Sequence, residues 1–485
     1  MRDLLIVGGG INGTAIAREA ALNGWSVHLV ERGDLAGATS SASSGLIHGG
    51  LRYLEFYEFR LVREALVERE RLLKLAPHLI RPLTFVMPHA NALRPWWILR
   101  AGLFLYDLLA WGTSLPFSRR LRAGDAAYRA PLADQGPGFV YPDARVDDAR
   151  LTVLNAVDAR LAGAEIVTRN ALVAAERHGD VWRAELSDGS RVEARAIVNA
   201  AGPWVTELLS ACGVDTKAGT RLVKGSHIVV PQLYPGDHAY TLQQPDRRIV
   251  FAIPWHGATV IGTTDVQVER PEDARIEPAE IAYLCEAANR FFVQRISPID
   301  VIATWSGVRP LYDDQAEDAS QVTRDYVLEV DAAAAPLLSI FGGKITTARA
   351  LAEEAVEKLA ALLDAPFAPA TRTRPLPGGD LTDVGALEAE VAARWPFVDS
   401  VRLVNAYGTR TRDLLRDVQH ASDMGEAMGA GLTEREVVWM IDEEWAQTAE
   451  DVLRRFGPGR TADSSVRARV ATLIEARQAI PPITA

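Results

Sequence analysis

Apolar positions in the first thirty residues fall into two nearly continuous blocks, Leu4-Leu5-Ile6-Val7 and Val27-His28-Leu29-Val30, separated by a stretch with small residues at Ala15, Ala17, Ala20 and Ala21. Short apolar runs without polar alternation predict strands buried on both faces, and the small residues between them predict a helix packed close against a sheet. The pattern over 3–31 is therefore strand, helix, strand. A helical period follows over 55–75, where Phe56, Phe59, Val62, Leu66 and Leu73 recur and Pro77 stands just beyond. The Arg and Glu residues between them predict a solvated face.

Farther along, a helix is expected over 146–163 and strands over 165–168 and 172–176. The runs 181–186 and 191–193 flank Asp188-Gly189, a hairpin signal. The next strand, 196–200, ends in Ala201-Gly202-Pro203-Trp204. Between about 220 and 305 the apolar and β-branched runs 221–230, 249–253 and 259–264 are broken by Pro and Gly, which predicts an antiparallel sheet. The sheet signal is expected to return to the first domain at 305–311 and 337–341. The latter runs into Gly342-Gly343-Lys344 and an alanine-rich helix ending near Leu363. Arg374 to Gly379 reads as a linker. Beyond it the pattern is helical, with Thr433 and Glu436 at capping-box spacing and a stop at Gly457-Pro458.

One segment reads two ways. Trp96, Trp97 and Trp111 bracket an apolar helix followed by Arg119, Arg120 and Arg122. Aromatic rings and cations in that order suit a membrane interface, and they suit a buried helix equally. Arg100 and Asp107 argue against a spanning helix.

Composition narrows the class. A chain of 485 residues exceeds one ordinary core, so two or three domains are expected. The net charge of -11 argues against a surface for nucleic acid. Only Cys212 and Cys285 are present, without partners at metal-ligand spacing, so neither a disulfide framework nor a metal site is indicated. No leader or uninterrupted apolar span is visible, and a reduced, cytosol-facing location is expected.

The chemistry concentrates at the start. Gly8, Gly10 and Gly13 form G-x-G-x-x-G between a strand and a helix, and Glu31 ends the following strand where an acid receives an adenosine ribose. The turn and the helix N-terminus suit a pyrophosphate. The Gly342-Gly343 pair offers a second helix start, whose partial positive charge stabilises negative charge.

Read together, Gly8 to Gly13, Thr39-Ser40-Ser41, Leu46-Ile47-His48-Gly49-Gly50-Leu51-Arg52-Tyr53, Lys224-Gly225-Ser226-His227, Ile261 to Asp265, Ser306-Gly307-Val308-Arg309-Pro310-Leu311 and Phe341-Gly342-Gly343-Lys344 resemble the aerobic, respiratory FAD-dependent glycerol-3-phosphate dehydrogenases over nearly the whole chain. The resemblance implies oxidation of sn-glycerol 3-phosphate at C2 to dihydroxyacetone phosphate, with electrons passed to a membrane quinone. It also implies an α/β architecture with three parts: a Rossmann-like FAD-binding domain (1–75, 146–215 and 305–365), an antiparallel-sheet substrate domain (216–304) and a C-terminal helical domain (380–485). Residues 76–145 are expected to face substrate or membrane. The implied location is the cytoplasmic face of the inner membrane, bound peripherally, and a homodimer is a candidate assembly.

By the same resemblance Gly8, Gly10, Gly13, Glu31, Ser40, Ser41, His48, Gly202, Gly343 and Lys344 fall on the cofactor pattern. Members of the family usually carry a lysine where this chain has Gly45. For the reaction, a guanidinium fork suits a phosphate, so Arg52 and Arg309 are expected to clamp it with help from Tyr53. Lys344 is expected to hold the substrate or the flavin carbonyl edge. His48 and His227 compete as the base that takes the hydroxyl proton. The alternatives are an oxidase that uses oxygen and a dinucleotide-binding module without chemistry.

Overall fold

The computed structural model describes residues 1–90, 92, 94–216, 219–313 and 325–478. Its first sheet runs Val327–Asp331, Leu337–Phe341, Arg191–Asn199, Arg2–Val7, Val27–Glu31, Glu165–Thr168. All neighbours are parallel except the antiparallel edge strand Val327–Asp331. The continuous apolar blocks are explained by cover on both faces. Ala15, Ile16, Ala17 and Ala20 of the helix Ile11–Leu22 pack with the helices Asp148–Leu161 and Ala348–Leu363 on Leu4 and Ile6 of one face. On the other, Leu5 and Ile197 meet Trp182, Leu208 and Phe341. The predicted hairpin is present as Val181–Leu186 paired with the start of Arg191–Asn199, and Leu172–His178 pairs antiparallel with its first strand.

The second sheet runs Val266–Val268, Gly219–Pro231, Ala258–Gly262, Ile249–Trp255, His238–Gln243, Ile80–Pro88, Gly138–Val146, Leu46–Ile47. It is antiparallel except where His238–Gln243 meets Ile80–Pro88. Two expectations are corrected here. The run 305–311 does not return to the first domain: the strand Ala303–Asp313 pairs with Gly219–Pro231 along eleven register positions. Residues 76–145 are not a separate segment either, because they supply three strands of this sheet, so the substrate-facing sheet extends well beyond 216–304. The apolar strand pattern is the same in both sheets, and only pairing distinguishes them.

The helix expected over 55–75 begins at Phe59, after a 3-10 turn Leu51–Phe56. Its polar face is not all solvated. Glu68 and Arg69 are buried, Glu68 accepting from Arg349 at 2.6 and 2.8 Å and Arg69 pairing with Asp143 at 2.5 Å. The helix Trp96–Leu109 is half buried and half exposed. It buries Leu103 and Tyr106, while Trp97 (67% exposed) and Phe104 (62%), with Trp111 (71%) just beyond, face outward. Among the described residues no helix is long and apolar enough to cross a membrane.

Residues 374–379 are strapped down rather than free. Arg18 donates to the Arg374 carbonyl at 2.9 Å, and the Leu376 amide donates to the Leu75 carbonyl at 2.9 Å. The C-terminal domain packs the helices Val384–Arg394, Ser400–Tyr407, Glu434–Glu444, Ala449–Arg455 and Ser464–Gln478 around Leu387, Trp395, Val437 and Met440. Thr433 is the residue before Glu434–Glu444 as expected, but no capping hydrogen bond forms, because Glu436 is taken by Arg402 at 2.7 and 2.6 Å.

Candidate active site

A cavity of about 980 Å³ runs between the two sheets. At one end lies the glycine turn. Gly8 has φ +118°, and a Cβ there would stand 2.3 Å from the Ala200 carbonyl oxygen; one at Gly13 would stand 2.0 Å from that of Gly8. No larger residue fits either place. At Gly10 a Cβ would meet only Ser40 Oγ, at 3.1 Å, so the backbone there is open toward the cavity. Ser40 Oγ accepts from the Ile11 amide at 2.9 Å and tethers the start of the helix, leaving its other first-turn amides for a ligand.

Glu31 is held in place by backbone. Its carboxylate accepts from the Gly9 amide at 2.6 Å and the Gly33 amide at 2.7 Å. Burial raises its pKa above the usual carboxylate value, and the two amides oppose that shift. Gly202 and Gly343 line the cavity with φ +57° and +107°. Ser41 does not line it: its side chain is buried and turned back on the Ala38 carbonyl at 3.4 Å, while Ser43 and Ser44 face the cavity. The crowded glycine cradle, the tethered helix start and the acid at the strand end together fit a dinucleotide cofactor such as FAD.

The opposite wall is the second sheet. Register aligns Thr241, Phe251, Gly262, His227 and Trp305 in one row across five strands. Gly262 makes room for the neighbouring imidazole, since a Cβ there would come within 2.0 Å of His227 Cδ2. The His227 ring stacks on Trp305 with centroids 5.2 Å apart, and its Nε2 is 2.8 Å from Ser44 Oγ. Burial, reinforced by the Arg309 and Arg460 cations, pushes its pKa down to about 3, so this histidine is neutral. Arg309 lies farther along the same wall. One nitrogen of its guanidinium donates to Asp265 at 2.7 Å and the Thr264 carbonyl at 3.2 Å, which orients the fork and leaves its other N–H groups without acceptors among the described residues.

His48 and Lys344 close the site from the FAD side. The His48 ring lines the cavity 6.4 Å from that of Phe251, and its backbone amide donates to Thr346 Oγ1 at 3.4 Å. Burial lowers its pKa, Asp143 opposes this, and Lys344 and Arg69 add to it. Asp143 is the hub of a buried brace. Arg69 pairs with it, the Tyr106 hydroxyl donates to it at 2.8 Å, and that hydroxyl accepts from the Gly49 amide at 2.9 Å beside His48. Lys344 Nζ is buried with no hydrogen-bond partner among the described residues and sits 4.0 Å above the Tyr53 ring. Arg52 and Tyr53 reach the same cavity from the 3-10 turn that follows Gly50 at φ +74°.

His48, Arg52, Tyr53, His227, Arg309 and Lys344 therefore line one cavity, as the sequence suggested. Gly45 is explained by its backbone: φ is +64° and a Cβ would stand 2.9 Å from the Val146 carbonyl oxygen, so a lysine there would be strained. Sequence reasoning missed Asp143, Tyr106, Thr241 and Gln243 in or behind this site. Asp143 carried a usable signal, a single acid inside the apolar strand Gly138–Val146; the others carried none.

Residues 3–349 match the family described as FAD-dependent oxidoreductase, and residues 369–475 match the family described as the C-terminal domain of alpha-glycerophosphate oxidase. The chain is 50% identical to a glycerol-3-phosphate dehydrogenase of Pseudomonas aeruginosa, over 93% of this chain and 91% of the relative. It is 45% identical to a D-erythritol 1-phosphate dehydrogenase of Brucella abortus, over 93% of each. The fold is similar to that of a glycerol-3-phosphate dehydrogenase from Bacillus halodurans solved with FAD, with a TM-score of 0.75 and 24% identity over 98% of this chain and 94% of that one.

Proposed function

The chain belongs to the FAD-dependent oxidoreductases, in the branch that holds the glycerol-3-phosphate dehydrogenases, and from that premise we propose that it oxidises sn-glycerol 3-phosphate at C2 to dihydroxyacetone phosphate. The observation that carries the substrate reading is the Lys344 ammonium, whose buried Nζ has no hydrogen-bond partner among the described residues and sits over the Tyr53 ring, beside the cations Arg52 and Arg309 and the imidazole of His48 in the same cavity. A desolvated cation without a hydrogen-bond acceptor favours an anionic ligand. A neutral imidazole open to the same space suits removal of a hydroxyl proton.

FAD, when bound, supplies the acceptor for the hydride that leaves C2. His48 takes the C2 hydroxyl proton, with Asp143 placed to stabilise the imidazolium that results. His227 is the weaker candidate for base, because Ser44 already occupies its Nε2. It shapes the sheet wall and stays uncharged beside Arg309. Arg309, oriented by Asp265, holds the phosphate with Arg52 and Tyr53, while Lys344 stabilises negative charge on the substrate.

The similarity to an erythritol phosphate dehydrogenase supports a second reading for substrate, a four-carbon polyol phosphate with the same phosphate and secondary alcohol. Anaerobic addition of each substrate to the yellow protein tests both. Bleaching by glycerol 3-phosphate at least about tenfold faster than by D-erythritol 1-phosphate supports the first reading. The reverse order overturns it and leaves the reaction class standing, and no bleaching by either overturns both.

The acceptor is proposed to be a quinone at a membrane surface. Support comes from the outward aromatic face of Trp97, Phe104 and Trp111, on the helix whose Leu99 also lines the cavity. Flotation with anionic vesicles that is lost when the two tryptophans are replaced by serine is the expected result. Peroxide release at the rate of substrate oxidation would instead identify oxygen as the acceptor.

A further inference from the structure

The adenosine end of the cavity is walled partly by the C-terminal domain. Asp451 and Arg454, on the helix Ala449–Arg455, line it together with Arg32, Gly33, Asp34 and Arg169. The contacts are ionic. Arg454 Nη1 lies 2.6 Å from Asp34 Oδ2, with its side chain 22% exposed. The fully buried Arg455 grips both oxygens of the same carboxylate at 2.7 Å. Asp451 pairs with Arg169 at 2.5 Å, the Arg169 amide donates to the Gly33 carbonyl at 3.0 Å, and the Asn170 amide donates to that of Glu31, also at 3.0 Å.

These bonds converge on residues 31–34, the strand end whose first residue carries the carboxylate facing the ribose position. A domain that begins more than 300 residues later holds it from behind. Buried ion pairs contribute little net stability after desolvation, and their attested use is to fix one geometry among several. A ligand's apparent affinity scales with the fraction of time its site spends in the competent geometry. Removing the restraint on residues 31–34 therefore weakens ligands that reach them and spares ligands that do not.

We propose that the C-terminal domain is part of the cofactor site: Arg454 contacts the adenosine half of FAD, and Arg455, acting through Asp34, is a positioning residue for the strand end that receives its ribose. The proposal rests on FAD as cofactor and is independent of which polyol phosphate is oxidised.

Titration of the full-length apoprotein with FAD and with FMN, followed by quenching of flavin fluorescence, tests it. Arg454→Gln is expected to weaken FAD at least about tenfold and to leave FMN, which lacks the adenosine half, within about twofold of its wild-type affinity, with the melting temperature of the apoprotein unchanged. Arg455→Lys, which keeps the charge and loses the fork, is expected to show the same selective loss in smaller degree. Unchanged FAD affinity in Arg454→Gln overturns the proposal. So does equal weakening of FAD and FMN, which would report a general loss of folding.

Discussion

The end of the cavity that fits the adenosine and pyrophosphate is built on residues 8–13 and 31–44, which follow one another closely in the chain, whereas the end proposed to meet substrate takes His48, Arg309 and Lys344 from distant positions and its floor from strands as far apart as Phe85 and Phe251. The first end works through backbone: amides at a helix start, a carboxylate held by the Gly9 and Gly33 amides, and glycines where a Cβ would collide with a carbonyl. The second works through side chains set on a rigid sheet. Damage to a backbone site is all-or-none, because the turn either closes or does not. Damage to a side-chain site is graded and leaves the cofactor in place.

Gly8→Ala gives the largest effect. The added methyl would stand 2.3 Å from the Ala200 oxygen at a positive φ, so the turn opens and the protein is expected to purify without flavin, read from the absorbance near 450 nm. A yellow Gly8→Ala protein would break the comparison. At the other end, Arg309→Ala is expected to keep its full flavin content and lose roughly a hundredfold to a thousandfold in kcat/KM for glycerol 3-phosphate, chiefly through KM. Loss of flavin from that variant would show that the two ends are not separable.

The histidines sharpen the division within the substrate end. With FAD bound, His48→Gln is expected to slow anaerobic flavin reduction about a hundredfold, and His227→Gln by less than about tenfold. The opposite ranking would move the base to His227, against the occupation of its Nε2 by Ser44.

This division also accounts for what could be read along the chain. Gly8, Gly13 and Glu31 were legible because one short strand, turn, helix and strand contains all the partners they need. His48, Arg309 and Lys344 were legible only through resemblance, since nothing local says that their strands and turns share a cavity. The strand Ala303–Asp313 was assigned to the wrong sheet for the same reason: its eleven partners lie about eighty residues earlier, and an apolar strand carries no label for its neighbour. Asp451, Arg454 and Arg455 carry no local pattern in the sequence that sets them apart from other charges. Burial against Asp34 arises only when the C-terminal domain docks, and no spacing within that helix anticipates it.

The smallest expected effect concerns acid and base, and here the two ends should respond with opposite signs. His227 is depressed to about 3 in the fold, against about 6.5 when unfolded, by burial first and by Arg309 and Arg460 after it. Between those values the unfolded chain binds the extra proton, so stability is lost as pH falls below about 6.5, at up to ~1.4 kcal/mol per pH unit from this one group. Glu31 is shifted the other way, raised by burial in the apoprotein. There the folded chain binds the extra proton, so its contribution is present at low pH and is lost as pH rises from the ordinary carboxylate value through the raised one. Urea midpoints of the apoprotein measured from pH 4 to pH 7.5 separate the two. His227→Gln should flatten the fall below about pH 6.5, and Glu31→Gln should remove a decline that begins near pH 4.5. If both substitutions changed the profile in the same direction, the contrast between a side chain kept neutral by burial among cations and a carboxyl whose pKa is raised by burial would be wrong.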